Sequence, residues 1–205
     1  MLTKQEILNK THSLCKCFYN IMPIDNISSV INSGILSFNN VKNASHTSVA
    51  LTPVQERREN VIIPNGGKLH SYANLYFTYH NPMLYRLQDK AESLCILAID
   101  TDVLEIPGCI LSDRNASTFL AKFYSPEDGF DCINFNLVYA KDWRDIDTYE
   151  YLKKKAIKCA EILVPNCVPY EYITSACVLN DKSKKRLIDS GFNKEIIVNS
   201  SVFYR

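Results

Sequence analysis

The sequence predicts an α+β fold built on largely antiparallel sheets. Segments of strand length outnumber helical ones after residue 70, and neighbouring strands follow one another in hairpin-like order. The 205 residues suit one domain of ordinary size, residues 1–205, with no internal repeat and no linker. An apolar fraction of 46% with 22% charged residues describes a soluble globular chain. No apolar run approaches the ~18 residues of a spanning helix, and MLTKQEILNK is too polar for a secretory signal. A cytoplasmic protein without membrane contact is expected, and a monomer.

Element by element, Thr3-Lys4-Gln5-Glu6 matches a capping box and predicts a helix to Leu14. Phe18-Tyr19-Asn20-Ile21 reads as a short strand. Ile24 to Ser33 reads as a helix burying Ile27, Val30 and Ile31, with Gly34 placed as its left-handed C′ residue. Ser37 to Pro53 is polar and aperiodic, hence a loop, and Asn65-Gly66-Gly67 marks a turn. Leu94 to Ile99 is an uninterrupted apolar run expected in the middle of a sheet. Ser112-Asp113-Arg114-Asn115-Ala116-Ser117 predicts the cap of a short helix through Phe123, and Asp131 to Tyr139 alternates loosely. Trp143 lies in a polar connection. Tyr149 to Cys159 is a helix expected to bury Tyr149, Leu152, Ala156 and Cys159 and to turn its lysines outward. A strand starts at about Ala160, another covers Tyr172 to Leu179, a helix runs Asp181 to Ser190 before Gly191, and Glu195 to Phe203 closes the fold.

Eight cysteines without an export signal read as free thiols. Cys15-x-Cys17 lacks a second pair, so no metal site is expected. With a net charge of +1, a nucleic-acid partner would have to be held by local patches. Lys153, Lys154, Lys155 and Lys158 form one candidate; Lys182, Lys184, Lys185 and Arg186 read as a solvated helix face.

Three features carry chemistry. Leu69 to Leu87, LHSYANLYFTYHNPMLYRL, concentrates Tyr72, Tyr76, Phe77, Tyr79 and Tyr85 beside His70, His80 and Arg86. Such a stretch is either core or a stacking platform for a base or a nicotinamide ring. Adjacent Arg57 and Arg58 offer planar forks suited to phosphate. AEILVP, residues 160–165, sets Glu161 inside an apolar strand, where an ionised carboxylate costs several kcal/mol unless compensated. It is either an edge-strand residue facing water or the wall of a cleft.

LHSYANLYF, NPMLYRL, SDRNAS and AEILVP, in that order, resemble the DarT family of DNA ADP-ribosyltransferase toxins, from about Phe18 to Leu179. The resemblance implies an ADP-ribosyltransferase fold, with two mainly antiparallel sheets enclosing an NAD cleft and helices flanking them. It implies transfer of ADP-ribose from NAD, used as co-substrate, to a base of single-stranded DNA, and a cognate antitoxin that reverses the modification. By position Glu161 is the family's catalytic glutamate, and either Arg57 or Arg58 its arginine. The NAD-binding residues implied are Asn20, Met22, Asn26, Gly34, Leu36, His70, Tyr72, Tyr76 and Phe77. Many members have histidine where Asn20 stands and threonine where Met22 stands; Asn20 can still donate a hydrogen bond, Met22 cannot. Asn115, Arg144, Lys154 and Lys155 are the implied DNA contacts. The wording YANLYF and NAS resembles the guanine-modifying branch more than the thymine-modifying one. Transfer to thymine, NAD hydrolysis, and a catalytically weak module that binds single strands are the alternatives.

Overall fold

The computed structural model describes residues 2–41, 46–49, 52–64 and 66–204. Helix α1 (Lys4–Lys10) starts with the capping box, Thr3 and Glu6 each satisfying the other's backbone amide. It stops short of Leu14 because His12 and Ser13 take positive φ. Next come β1 (Phe18–Pro23), α2 (Ile27–Ser33), β2 (Ile35–Leu36), α3 (Phe38–Val41) and α4 (Thr52–Glu59). The middle of the chain forms β3 (Tyr72–Tyr76), α5 (Pro82–Arg86), β4 (Leu94–Ile99), β5 (Ile110–Ser112), β6 (Phe123–Tyr124), α6 (Pro126–Cys132) and α7 (Phe135–Val138). Helix α8 (Thr148–Ile157) leads into β7 (Glu161–Pro165), β8 (Cys167–Val168), β9 (Ile173–Val178), α9 (Asp181–Asp189) and β10 (Glu195–Val198).

Eight strands form one sheet in the order β10-β9-β4-β1-β3-β7-β5-β6, and β2 pairs with β8 in a small second sheet. Every pairing is antiparallel except β10 with β9, which α9 connects as a crossover. β1 pairs with β4 over six residues and β3 with β7 over five, yet β1 and β3 meet only at Tyr19↔Tyr76. The large sheet is therefore two four-stranded halves, β10-β9-β4-β1 and β3-β7-β5-β6, that splay apart beyond one pair. The expected two sheets appear in this form, as halves of one sheet.

One face of the sheet carries the main core, with Phe18, Leu75, Phe77, Leu97, Ile162, Val164 and Ala176 among its members. The other face carries two smaller apolar clusters, one around Ile21, Tyr76 and Ile96, the other around Leu69, Tyr72 and Leu163. Leu94 to Ile99 is the interior strand β4, as its apolar run required.

Several expectations are corrected. The supposed loop from Ser37 contains α3 and the start of α4, helices too short to show a period; residues 42–45, 50 and 51 lie outside the described residues, as does Asn65 of the expected turn. Ser112 to Phe123 is not helical. Asn115 Oδ1 accepts from the N–H and the hydroxyl of Ser117, and Asp113 Oδ1 from Lys122 N–H, so local side-chain bonds shape a turn between β5 and β6. Asp131 to Tyr139 falls on the end of α6 and on α7. β10 ends at Val198, where Asn199 caps a 3₁₀ turn over Ser200–Val202. Cys159 is buried as expected, but Tyr149 and Leu152 are 63% and 57% exposed, because the start of α8 stands away from the core and the helix buries Ile157 at its end.

Candidate active site

Glu161 opens β7, a strand flanked by β3 on one side and β5 on the other, with Tyr76 and Ser112 as its register partners. It is not at a sheet edge, and its side chain is 0% exposed. Two donors compensate the burial. Arg58, itself 7% exposed, reaches from the last turn of α4 with Nη1 3.1 and 3.0 Å from the two carboxylate oxygens. The Ala116 N–H donates to Oε1 at 2.9 Å. Ala116 is aimed there by the Asn115 turn, which is tied to α8 through Asn115 N–H and the Ala156 carbonyl at 2.9 Å.

The pair sits at the split of the sheet. Asn20 Nδ2 spans the gap to the Asn74 carbonyl at 3.1 Å. A cleft of about 700 Å³ opens there, walled by Asn20, Asn74 and Tyr76 from the strands, Gln55, Arg57 and Arg58 from α4, Met83, Tyr85 and Arg86 from α5, Asn115 and Ser117 from the turn, and Tyr151, Leu152 and Lys155 from α8. Asn20, Gln55, Arg58 and Asn74 also wall a smaller pocket of about 110 Å³ with Leu36, Phe38, His70 and Tyr72. His70 Nε2 is 3.1 Å from Gln55 Oε1, and its ring lies 4.1 Å from that of Phe38. Burial and the neighbouring carboxylate push the Tyr76 hydroxyl well above the usual phenol range, so it stays neutral, and it donates to Met83 Sδ. The combined space has the size of a small-molecule or cofactor site. Its polar groups suit hydroxyls, an amide and phosphate. Among the described residues no group of three His, Cys, Asp or Glu side chains could hold a metal.

The structure thus brings together Glu161, Arg58, Arg57, Asn20, Leu36, His70, Tyr72, Tyr76, Asn115 and Lys155. Arg58 is the arginine on the glutamate; Arg57 is exposed on the cleft wall. Other expected residues lie elsewhere. Met22 points into the main core, so the threonine-for-methionine question does not concern the cleft wall. Phe77 is core, edge-on to Phe18, Phe130 and Phe135. Asn26 holds the backbone of Thr47, N–H and carbonyl both. Gly34, at φ +72°, lets α2 turn into β2, and a Cβ there would stand 2.3 Å from the Val168 carbonyl oxygen. Arg144 is paired with Asp142, and Lys154 with Asp145, outside the cleft lining. The sequence reading did not single out Ala116, whose contribution is a backbone amide that carries no residue signature.

Residues 19–204 match the family described as "DarT: ssDNA thymidine ADP-ribosyltransferase, DarT". A DNA ADP-ribosyl transferase–DNA ADP-ribosyl glycohydrolase fusion protein of Thermosipho africanus is 30% identical over 188 residues, 88% of this chain. The match spans 47% of the fusion protein, so this chain covers about half of its length. The structure of Thermus sp. 2.9 DarT in complex with ADP-ribosylated ssDNA superposes with a TM-score of 0.81 at 22% identity, covering 93% of this chain and 97% of that one. The same protein in complex with NAD+ gives 0.75 at 20%, covering 93% and 98%. The fold is an ADP-ribosyltransferase fold of the DarT type. The chain belongs to the DarT family.

Proposed function

We propose that this chain transfers ADP-ribose from NAD to a base of single-stranded DNA, and that the base is guanine. The observation that carries the reading is a buried glutamate–arginine pair at the split of the sheet, beside a cleft wide enough for a dinucleotide, in a fold of this family. Family membership and the NAD+ and ssDNA complexes of the Thermus relative support the two substrates.

In the reaction, the bond from ribose C1″ to the nicotinamide nitrogen breaks, its electron pair leaving with nicotinamide. A nitrogen of the base bonds to C1″ and sheds its proton. The intervening charge is oxocarbenium-like and favours a carboxylate beside the ribose, as in glycoside hydrolysis. Glu161 holds the 2″-hydroxyl and receives the displaced proton. In the present arrangement the Arg58 guanidinium covers the carboxylate, so substrate entry turns Arg58 from Glu161 toward the pyrophosphate. Asn20, His70 and Gln55 offer the polar contacts that orient the dinucleotide. Single strands fit because a base must leave its stack to react.

Guanine rests on the YANLYF and NAS wording; thymidine, named in the matched family's description, is the second reading. A separate glycohydrolase that removes the modification is proposed as partner, by analogy with the fusion relative. Mass spectrometry of short single strands after incubation with NAD tests the transfer and the base. A mass gain of one ADP-ribose on guanine-containing strands is expected. A gain only on thymine-containing strands gives the second reading, and free ADP-ribose with unmodified DNA refutes transfer.

A further inference from the structure

Beside the cleft stands an aromatic group that the chemistry above does not use. Tyr85 on α5 keeps 50% of its surface exposed. Trp143 and Tyr204 meet it nearly edge-on, with ring centroids 5.9 and 5.3 Å away and interplanar angles of 81° and 85°. Trp143 and Tyr204 meet each other at 6.2 Å and 85°. Three mutually perpendicular rings fix one another's planes. The supporting helix is also fixed: Asn81 is fully buried, accepts from the Met83 and Leu84 amides, donates to the Thr78 carbonyl and is followed by Pro82. Tyr85 and Trp143 line the same cleft as Arg58, together with the cations of Arg86 and Lys155.

We propose that Tyr85, held by Trp143 and Tyr204, is a stacking platform for a nucleobase next to the one that is modified. The inference rests on the reading of single-stranded DNA as acceptor. Every base has a π-face, so an exposed ring at fixed orientation takes any neighbour, and the cations beside it meet the phosphate between the two nucleotides. The ring sets the register of the strand and hence which base enters; it is a positioning residue that never touches the reacting atoms. It leaves the identity of the stacked base open, because a phenol ring offers a face and no directed hydrogen-bond pattern along it.

The test pairs protein variants with acceptor strands in which one residue flanking the target base is abasic, walked along the strand. With the wild-type chain, one flanking position should lower the transfer rate about tenfold when its base is removed, within the range of one base–aromatic stack. Tyr85→Ala should lower transfer to the intact strand by a similar factor and lose the sensitivity at that position, whereas Tyr85→Phe keeps both. Equal abasic sensitivity in wild type and Tyr85→Ala, or no sensitive position at all, overturns the proposal. So does a raised KM for NAD in Tyr85→Ala without abasic coupling, since the ring would then serve the dinucleotide. If the wild-type chain modifies no strand, the acceptor reading has failed; if it modifies strands without this coupling, only the platform has.

Discussion

A carboxylate and a guanidinium that are both withdrawn from water depend on each other, and this makes Arg58 and Arg57 different residues despite their adjacency. Removing Arg58 strands the Glu161 charge, with only the Ala116 amide left on it among the described residues. Breaking such a buried pair costs about 3–5 kcal/mol. We therefore expect Arg58→Ala to lower the unfolding midpoint steeply in denaturant titrations, and Arg57→Ala, on an exposed position, to leave it nearly unchanged. If both variants melt alike, the pair is not what the protein leans on. Glu161→Gln keeps an acceptor for Arg58 at the same volume, so it should fold while losing transfer by on the order of 10²-fold or more; transfer at the wild-type rate would make Glu161 purely structural. At this scale the sequence was informative where burial and chemistry conflict, since a charge in AEILVP has to be accounted for. It could not choose between Arg57 and Arg58, because that choice is made by the rotation of α4 against β7, and Arg-Arg is compatible with either.

Helix α8 is where residue pattern and packing part company. Its lysines fan around the axis as a helical spacing demands, but their fates differ. Lys153 pairs with Glu150 and Lys154 with Asp145, while Lys155 turns to the cleft beside the Tyr151 ring. Lys155→Ala should weaken binding of labelled single-stranded DNA and reduce the magnitude of its salt slope by about 0.7, the value for one phosphate contact. Lys153→Ala should change neither, and an unchanged slope for Lys155→Ala would return the residue to solvent. Lys158, just past the helix, is buried and donates to the Val138 and Ala140 carbonyls at 2.8 and 2.7 Å. Burial pulls its pKa down to about 8. The unfolded chain, with an ordinary lysine near 10.5, then holds more protons than the folded one between about pH 8 and 10.5. Stability from this group must rise with pH through that window and be lowest below it. Thiols titrate there too, so the comparison is with Lys158→Met: relative to that variant, the wild-type chain should gain stability from pH 7.5 to 9.5 in denaturant melts. A flat difference would mean that Lys158 is not desolvated. The sequence placed this helix well and Cys159 on its buried side, but put Tyr149 and Leu152 there too and Lys158 among the outward lysines. Periodicity says which residues share a side, and the neighbouring elements decide what that side meets.

For the whole molecule, the antiparallel majority was expected from hairpin-like neighbours, but among the described residues β5 and β6 are the only consecutive strands paired as a hairpin, and the other antiparallel pairs join strands distant in sequence. The split was not legible, since the strand pairing between the halves is reduced to a single register pair, Tyr19↔Tyr76, and composition does not distinguish the halves. The splay suggests a hinged mouth, but the path of the chain argues otherwise. The backbone passes from one half to the other four times, from β1 to β3, β3 to β4, β4 to β5 and β7 to β9. Two bodies sewn together by four crossings cannot unfold one at a time, because melting either half removes the anchors of every segment in the other. The chain should therefore show one calorimetric transition, with the van't Hoff and calorimetric enthalpies equal. On the proposed function, NAD should raise its midpoint as a single peak, by mass action. Two resolved peaks would show the halves to be separable. The same stitching sets the gap width before any substrate arrives. Adjustment to a dinucleotide then falls to side chains on its walls, so the molecule works as a rigid frame with movable fittings.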